Sequence, residues 1–196
     1  MLSTVRSTLS TRPTWQIRAL RVAFFIVLTA ISARLRIDLP NNPVPITAQT
    51  LIVLLAGLTL GPVDGALSQI GYLLLIAAGA PIDTRGLGPA VFLQPTVGYL
   101  IGFVPGAFVA GLAFRSKLIL KIVAAFCGAL LIHVFGIGGL MITQHIGLGT
   151  ATGQDVAFIV VDSGKALLAA SLVNLGAASW QRWGIAPAPE PPSDRG

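Results

Sequence analysis

The chain has 196 residues, 54% of them hydrophobic and only 10% charged, with a mean hydropathy of +0.83. Soluble domains carry about 25% charged residues, so this composition excludes a soluble globular domain and points to a single integral membrane domain. The net charge of +6 is no nucleic-acid footprint, because the basic residues are scattered at the ends of apolar runs, where they face a membrane surface and set topology.

Residues 1–16 are rich in Ser and Thr and basic, without an acid. They read as a disordered cytoplasmic leader with only a faint transit-peptide character. A first helix is predicted over 17–35. It carries Ala19-x-x-x-Ala23, a small-xxx-small pattern that lets another backbone approach closely. Residues 36–47 hold three prolines and two asparagines. Proline fixes φ and removes a donor, so this is an extended loop. Ile37, Leu39, Val44 and Ile46 make it apolar enough to fold back onto the helices.

Helices follow over 48–60 and 63–79, ended by Gly61-Pro62 and Ala80-Pro81. The turn between them is short, so they are antiparallel neighbours. The first is too short to cross a bilayer unless it tilts or its flanks extend it. Residues 80–95 form a long irregular connection bearing Asp83 and Arg85. The next helix, 96–114, is expected to kink at Pro105. A basic turn with Arg115 and Lys117 leads into a helix over 118–140.

That helix holds the single cysteine, Cys127, which rules out an intrachain disulfide and any cysteine metal cluster. A small buried residue is the expectation for it. A glycine-rich loop, 141–154, a last helix, 155–180, and a proline-rich disordered tail, 183–196, complete the chain. Gln69 and Asn174 are expected to hydrogen-bond between helices. His133 and His145, twelve residues apart with no third ligand, make a poor metal site. Packing or a hydrogen bond is their expected role.

The fold class read from this pattern is all-α integral membrane, with six transmembrane helices spanning 17–182. Nine basic residues fall on the N-terminal side: Arg6, Arg12, Arg18, Arg21, Arg115, Lys117, Lys121, Arg182 and Arg195. Three, Arg34, Arg36 and Arg85, fall on the other. The excess of basic residues on cytoplasmic loops places both termini in the cytoplasm. All three long loops then lie outside.

The chemistry concentrates in the last helix. Asp162 and Lys165 are i, i+3 neighbours inside an apolar run and share one helix face. With a helix starting at 155, Lys165 lies about 15 Å along it, half of a ~30 Å hydrocarbon core. A charge there costs about 2.5–3.5 kcal/mol. Two readings stand: a neutralising structural ion pair, or a pair facing a cavity that binds something polar.

Three stretches carry a family resemblance. Val-Pro-Ile-Thr-Ala-Gln-Thr-Leu at 44–51 resembles Val-Pro-Ile-Thr-x-Gln-Thr-Leu. Gln-Pro-Thr-Val-Gly-Tyr-Leu-Ile-Gly-Phe at 94–103 resembles Gly-Pro-Thr-x-Gly-Tyr-Leu-x-Gly-Phe. Asp162-x-x-Lys165 falls in the last helix. In this order and at this length, residues 18–178 resemble the BioY family, the biotin-specific substrate-binding (S) components of energy-coupling factor (ECF) transporters. The sequence departs from the family where Val160-Val161 stands in place of the frequent Pro-Gly, and where Gln94 replaces a glycine.

The resemblance implies the six-helix S-component fold with an outward cavity for biotin. It also implies a partnership with a transmembrane T component and two ATPase subunits, in the cytoplasmic membrane. It implies no enzymatic activity and no cofactor beyond the ligand biotin. The chain itself carries no Gly-x-x-x-x-Gly-Lys-[Ser/Thr] phosphate loop.

Biotin offers two ureido N–H donors, a carbonyl acceptor, a thioether ring and a carboxylate. Asp162 is the candidate acceptor for a ureido N–H. Lys165 is the candidate donor to the ureido carbonyl or the carboxylate. Arg85 is the outer-loop candidate for the carboxylate, or else a solvated loop cation. Gln49, Gln94, Thr96 and Tyr99 either touch ligand or bond a helix end, and aromatics such as Phe92 could wall the pocket. Ala19 and Ala23 are the candidate docking face for the T component.

Competing readings are an S component for another vitamin, a proton-coupled carrier using Asp162, and an intramembrane enzyme. Against the last, Asp162 reads as a lone transmembrane acid with no paired carboxylate.

Overall fold

A computed structural model describes residues 14–182. Within them lie six α-helices: α1 (Thr14–Arg34), α2 (Gln49–Leu60), α3 (Pro62–Ala77), α4 (Val97–Gly111), α5 (Leu118–Gln144) and α6 (Leu148–Arg182). Three segments are long and apolar enough to cross a membrane: Trp15–Arg34, Leu118–Gln144 and Leu148–Gly176. α2, α3 and α4 are shorter apolar helices of 12, 16 and 15 residues. Most of residues 1–16 and all of 183–196, the expected leader and tail, lie outside the described residues. Thr14, Trp15 and Gln16, expected in the leader, instead open α1.

The α2–α3 turn follows from two residues. Gly61 adopts φ +88°, a left-handed conformation that glycine takes without strain, and donates back to the Gly57 carbonyl at 2.8 Å. Pro62 then starts α3, where its missing N–H costs nothing.

α4 packs against α5 more extensively than any other helix pair. Glycines set that distance. A Cβ on Gly98 would lie 2.1 Å from the Phe135 carbonyl oxygen and 2.8 Å from Gly139 Cα. α4 remains one helical element through Pro105.

The largest difference from the sequence expectation lies between α5 and α6. The predicted loop 141–154 is helical at both ends, and only His145, Ile146 and Gly147 connect the two helices. His145 takes a left-handed φ of +52° there. Gly149 and Gly153 favour a loop on local propensity. In the fold, α6 runs through both, because helix packing outweighs a propensity cost of about 1 kcal/mol per glycine. α6 is therefore 35 residues long, about 50 Å, and Lys165 stands at its middle.

The proline-rich loop folds back as its apolar residues predicted. Arg36–Ile37 (β1) pairs antiparallel with Ile46–Thr47 (β2) and closes the loop. Val44 is buried, Leu39 and Ile46 pack on the core, and Ile37 stays exposed. Connection 78–96 contains a 3-10 turn, Gly88–Leu93.

Arginines bind the two loops to each other and to α1. Arg36 donates to the Thr84 carbonyl at 2.8 Å, Arg85 to the Pro43 carbonyl at 3.0 Å, and Arg34 to the Pro81 carbonyl. Gln69 does hydrogen-bond between helices, to Thr29 of α1 at 3.5 Å. Asn174 makes no side-chain hydrogen bond among the described residues. Cys127, expected inside, is exposed on the outer face of α5.

Candidate functional site

Beneath the two loops, α2, α4 and α6 enclose a cavity with about 540 Å³ unfilled by protein, its mouth included. Val44, Ile46, Val91, Leu100, Phe103 and Phe158 give it apolar walls. Gln49, Thr50, Asp83, Thr84, Thr96, Tyr99, Asp162 and Lys165 give it polar ones.

The α6 pair is formed and faces this cavity. Lys165 Nζ donates to Asp162 Oδ1 at 2.5 Å and to the Thr47 carbonyl at 2.6 Å. Asp162 Oδ2 accepts from Thr50 Oγ1 at 2.7 Å. An ammonium has three donors, so one N–H of Lys165 remains for a ligand. Asp162 likewise keeps free lone pairs.

Of the other residues singled out from the sequence, Gln49, Thr96 and Tyr99 line the same cavity. Gln49 is heavily engaged. Its Nε2 donates to Tyr72 OH at 3.0 Å, and its Oε1 accepts from Thr84 Oγ1 at 3.1 Å. Tyr72 OH in turn donates to the Ile82 carbonyl at 3.2 Å. Gln49 thus joins α2 and α3 to connection 78–96.

Arg85 and Gln94 do not line the main cavity. They line a smaller adjoining pocket of about 260 Å³, which shares Asp83, Thr84, Val91 and Thr96 with it. Phe92 walls neither. Ala19 and Ala23 lie exposed on α1, beside the exposed Leu20, Phe24 and Val27.

Sequence reasoning missed several polar groups. Asp83 is fully buried, and its two oxygens accept from the backbone N–H groups of Arg85 (2.9 Å) and Gly88 (2.8 Å). This is the local turn that aspartate favours two residues before a backbone donor, so Asp-Thr-Arg followed by Gly-x-Gly was its available signal.

The second miss is larger. Asp162 is not a lone intramembrane acid. Asp155, placed at a helix end from sequence, is fully buried two turns before Asp162 on α6. Its Oδ1 accepts from Tyr99 OH at 2.6 Å and lies 2.9 Å from His133 Nδ1. His133 Nε2 lies 3.6 Å from Asp162 Oδ2. The i, i+7 spacing is visible in the sequence, but a last helix begun at 155 rather than 148 conceals its meaning. Among the described residues no group of three metal-ligating side chains forms.

Known proteins provide an independent comparison. The BioY family model matches residues 6–182. The biotin transporter BioY of Rhizobium etli is 36% identical over 165 residues, 78% of this chain and 88% of its own. The probable biotin transporter BioY of Pyrococcus horikoshii is 38% identical over 150 residues, 76% of this chain and 88% of its own. A crystal structure at 2.1 Å, of the S-component for biotin from an ECF-type ABC transporter, superposes with a TM-score of 0.77 at 26% identity. It covers 85% of this chain and 95% of that one. Fold, sequence and the family model agree over nearly the whole described length, and the chain belongs to the BioY family.

Proposed function

We propose that this chain binds biotin from outside the cell and delivers it across the cytoplasmic membrane, as the S component of an ECF-type transporter. The observation that carries this reading is the α6 pair at the wall of a cavity with both apolar and polar walls, with one Lys165 donor and free Asp162 lone pairs still available. It is supported by relatives named as biotin transporters and by the structural likeness to an S-component for biotin. As a BioY-family member the chain is a substrate-binding membrane protein and not an enzyme.

In this assignment Asp162 accepts one ureido N–H. Lys165 donates to the ureido carbonyl or to the valerate carboxylate. Asp83 is a second acceptor, contributed by the outer connection, and Val91, Leu100, Phe103 and Phe158 surround the apolar rings. Gln49, Thr96 and Tyr99 complete the polar lining. Arg85 and Gln94, in the adjoining pocket, are placed to meet a carboxylate that extends outward.

Six helices cross the membrane, and both termini are cytoplasmic. The three shorter helices span less than ~30 Å at 1.5 Å per residue. They cross with help from their flanks and by packing inside the bundle. Basic residues at the predicted inner end are held by neighbouring chain: Arg18 pairs with Asp64 at 2.5 Å, and Lys121 donates to the Ser116 carbonyl at 2.6 Å. The exposed face of α1 with Ala19 and Ala23 docks the T component, which couples the chain to two ATPase subunits.

The test is competition. Labelled biotin bound to purified chain in detergent is displaced by unlabelled biotin and not by excess thiamine or riboflavin. Displacement by another vitamin at lower concentration than biotin would assign that vitamin instead. For the assembly, Ala19→Trp with Ala23→Trp should abolish co-purification with the T component while biotin binding persists. Intact co-purification of the double variant would remove the docking assignment.

A further inference from the structure

Behind the cavity wall runs a buried polar chain, of which the ligand contacts proposed above leave His133 and Asp155 unused. α6 presents Asp155 and Asp162 two turns apart on one face. His133 comes from α5 and stands between them, buried, with one ring nitrogen toward each carboxylate: Nδ1 at 2.9 Å from Asp155 and Nε2 at 3.6 Å from Asp162. Tyr99, a cavity-lining residue on α4, donates to the same Asp155 oxygen that meets the imidazole.

Two atoms in this chain are unsatisfied. His133 Nε2 and Asp155 Oδ2 are buried and make no hydrogen bond among the described residues. Buried polar side-chain atoms are nearly always bonded, so an orphan calls for an explanation. The 3.6 Å gap supplies one. A tilt of the Asp162 carboxylate by about half an ångström brings its Oδ2 within ~2.7–3.2 Å of Nε2, where it accepts a hydrogen bond when Nε2 carries a proton, the Nδ1–Asp155 contact then sharing a second proton between imidazole and carboxylate. On its other side, that same oxygen is held by Thr50.

We propose that His133, oriented by Asp155, is a positioning residue for Asp162, a role that rests on biotin as the occupant. Its Nε2 forms the back wall against which the carboxylate is fixed when the ligand fills the cavity. Asp155 holds the imidazole from behind, and the hydrogen bond at one ring nitrogen sets what the other nitrogen presents. Neither His133 nor Asp155 lines the cavity, so neither touches ligand.

Three substitutions separate positioning from packing. His133→Gln gives up the bond to Asp155 but places a side-chain amide where Nε2 stands. His133→Asn keeps a donor at the Nδ1 position and loses reach to Asp162. His133→Leu loses both. Biotin titration of each full-length variant in detergent is read beside the thermal midpoint of the ligand-free protein.

The expected result is affinity within a few-fold of the parent for His133→Gln, and an affinity loss on the order of tenfold or more, that of a lost hydrogen bond to a carboxylate, for His133→Asn and His133→Leu. Parent-like binding in all three would overturn the proposal. So would a pattern in which His133→Asn binds well and His133→Gln does not. An equal loss in all three, together with a lowered midpoint, would assign His133 to packing and also overturn it. A parent chain that does not bind biotin would remove the assignment of biotin itself, a failure distinct from indifferent variants.

Discussion

Two halves of this bundle solve different problems with different residues. The α4–α5 seam is built from absences. Gly98 and Gly139 sit back to back, and Gly136 makes room for the Tyr99 ring, which a Cβ there would approach to 2.3 Å. With no hydrophobic driving force between helices in lipid, close backbone packing supplies the association. The half between α2, α4 and α6 is built from polar groups, with Thr50, Asp162 and Lys165 sharing short hydrogen bonds at the middle of α6. The seam holds α4 rigidly enough that Tyr99 can face α6. Polar groups in an apolar interior demand that rigidity, since each must meet its partner or remain unsatisfied.

The two halves should therefore fail differently. The largest effect belongs to the seam. Gly98→Val forces α4 and α5 apart and is expected to cost about 3 kcal/mol or more, seen as a large drop in thermal midpoint or loss of folded protein in detergent. Unchanged stability would show that the close approach is dispensable.

In the polar half, Asp162→Asn should lower biotin affinity about 100-fold in a protein that still folds, with a lowered midpoint as well, because Lys165 is left without its buried partner. A midpoint loss equal to that of the glycine variant would erase the contrast. Thr50→Val removes one hydrogen bond to a carboxylate, a loss of about 1.5–3 kcal/mol, and should weaken binding at least tenfold in the same titration.

Arg85→Ala removes an exposed loop cation 3.9 Å from Asp38. A pair made with the ligand carboxylate from that exposed position is worth about 0–1 kcal/mol, so the affinity change should stay within about fivefold. The smallest effect returns to the seam: Gly138 has open space where a Cβ would go, unlike its neighbour Gly139. Gly138→Ala should leave the midpoint unchanged or raise it slightly, whereas Gly139→Ala should lower it.

Much of this was legible in sequence. Hydropathy located the helices, Gly61-Pro62 marked the α2–α3 turn, and the charged pair within an apolar run announced Lys165 and Asp162. Of the motif residues Gln49, Gln94, Thr96 and Tyr99, all but Gln94 line the cavity, and Gln94 lines the adjoining pocket.

What escaped was set by packing. Gly147, Gly149 and Gly153 read as a loop, yet two of them lie within α6, because neighbouring helices decide what local propensity leaves marginal. That single boundary error hid Asp155, and with it the link to His133. Asp83 escaped because its role depends on a turn in an irregular connection, where periodicity carries no signal.

If the pair on α6 forms the biotin site, Lys165 is indispensable to it. Equilibrium binding of labelled biotin to the purified chain in detergent, beside Lys165→Ala, decides the matter. Tight binding by the parent and a loss of about 100-fold in the variant are expected, with both proteins equally folded. Tight binding retained by Lys165→Ala would move the site off α6.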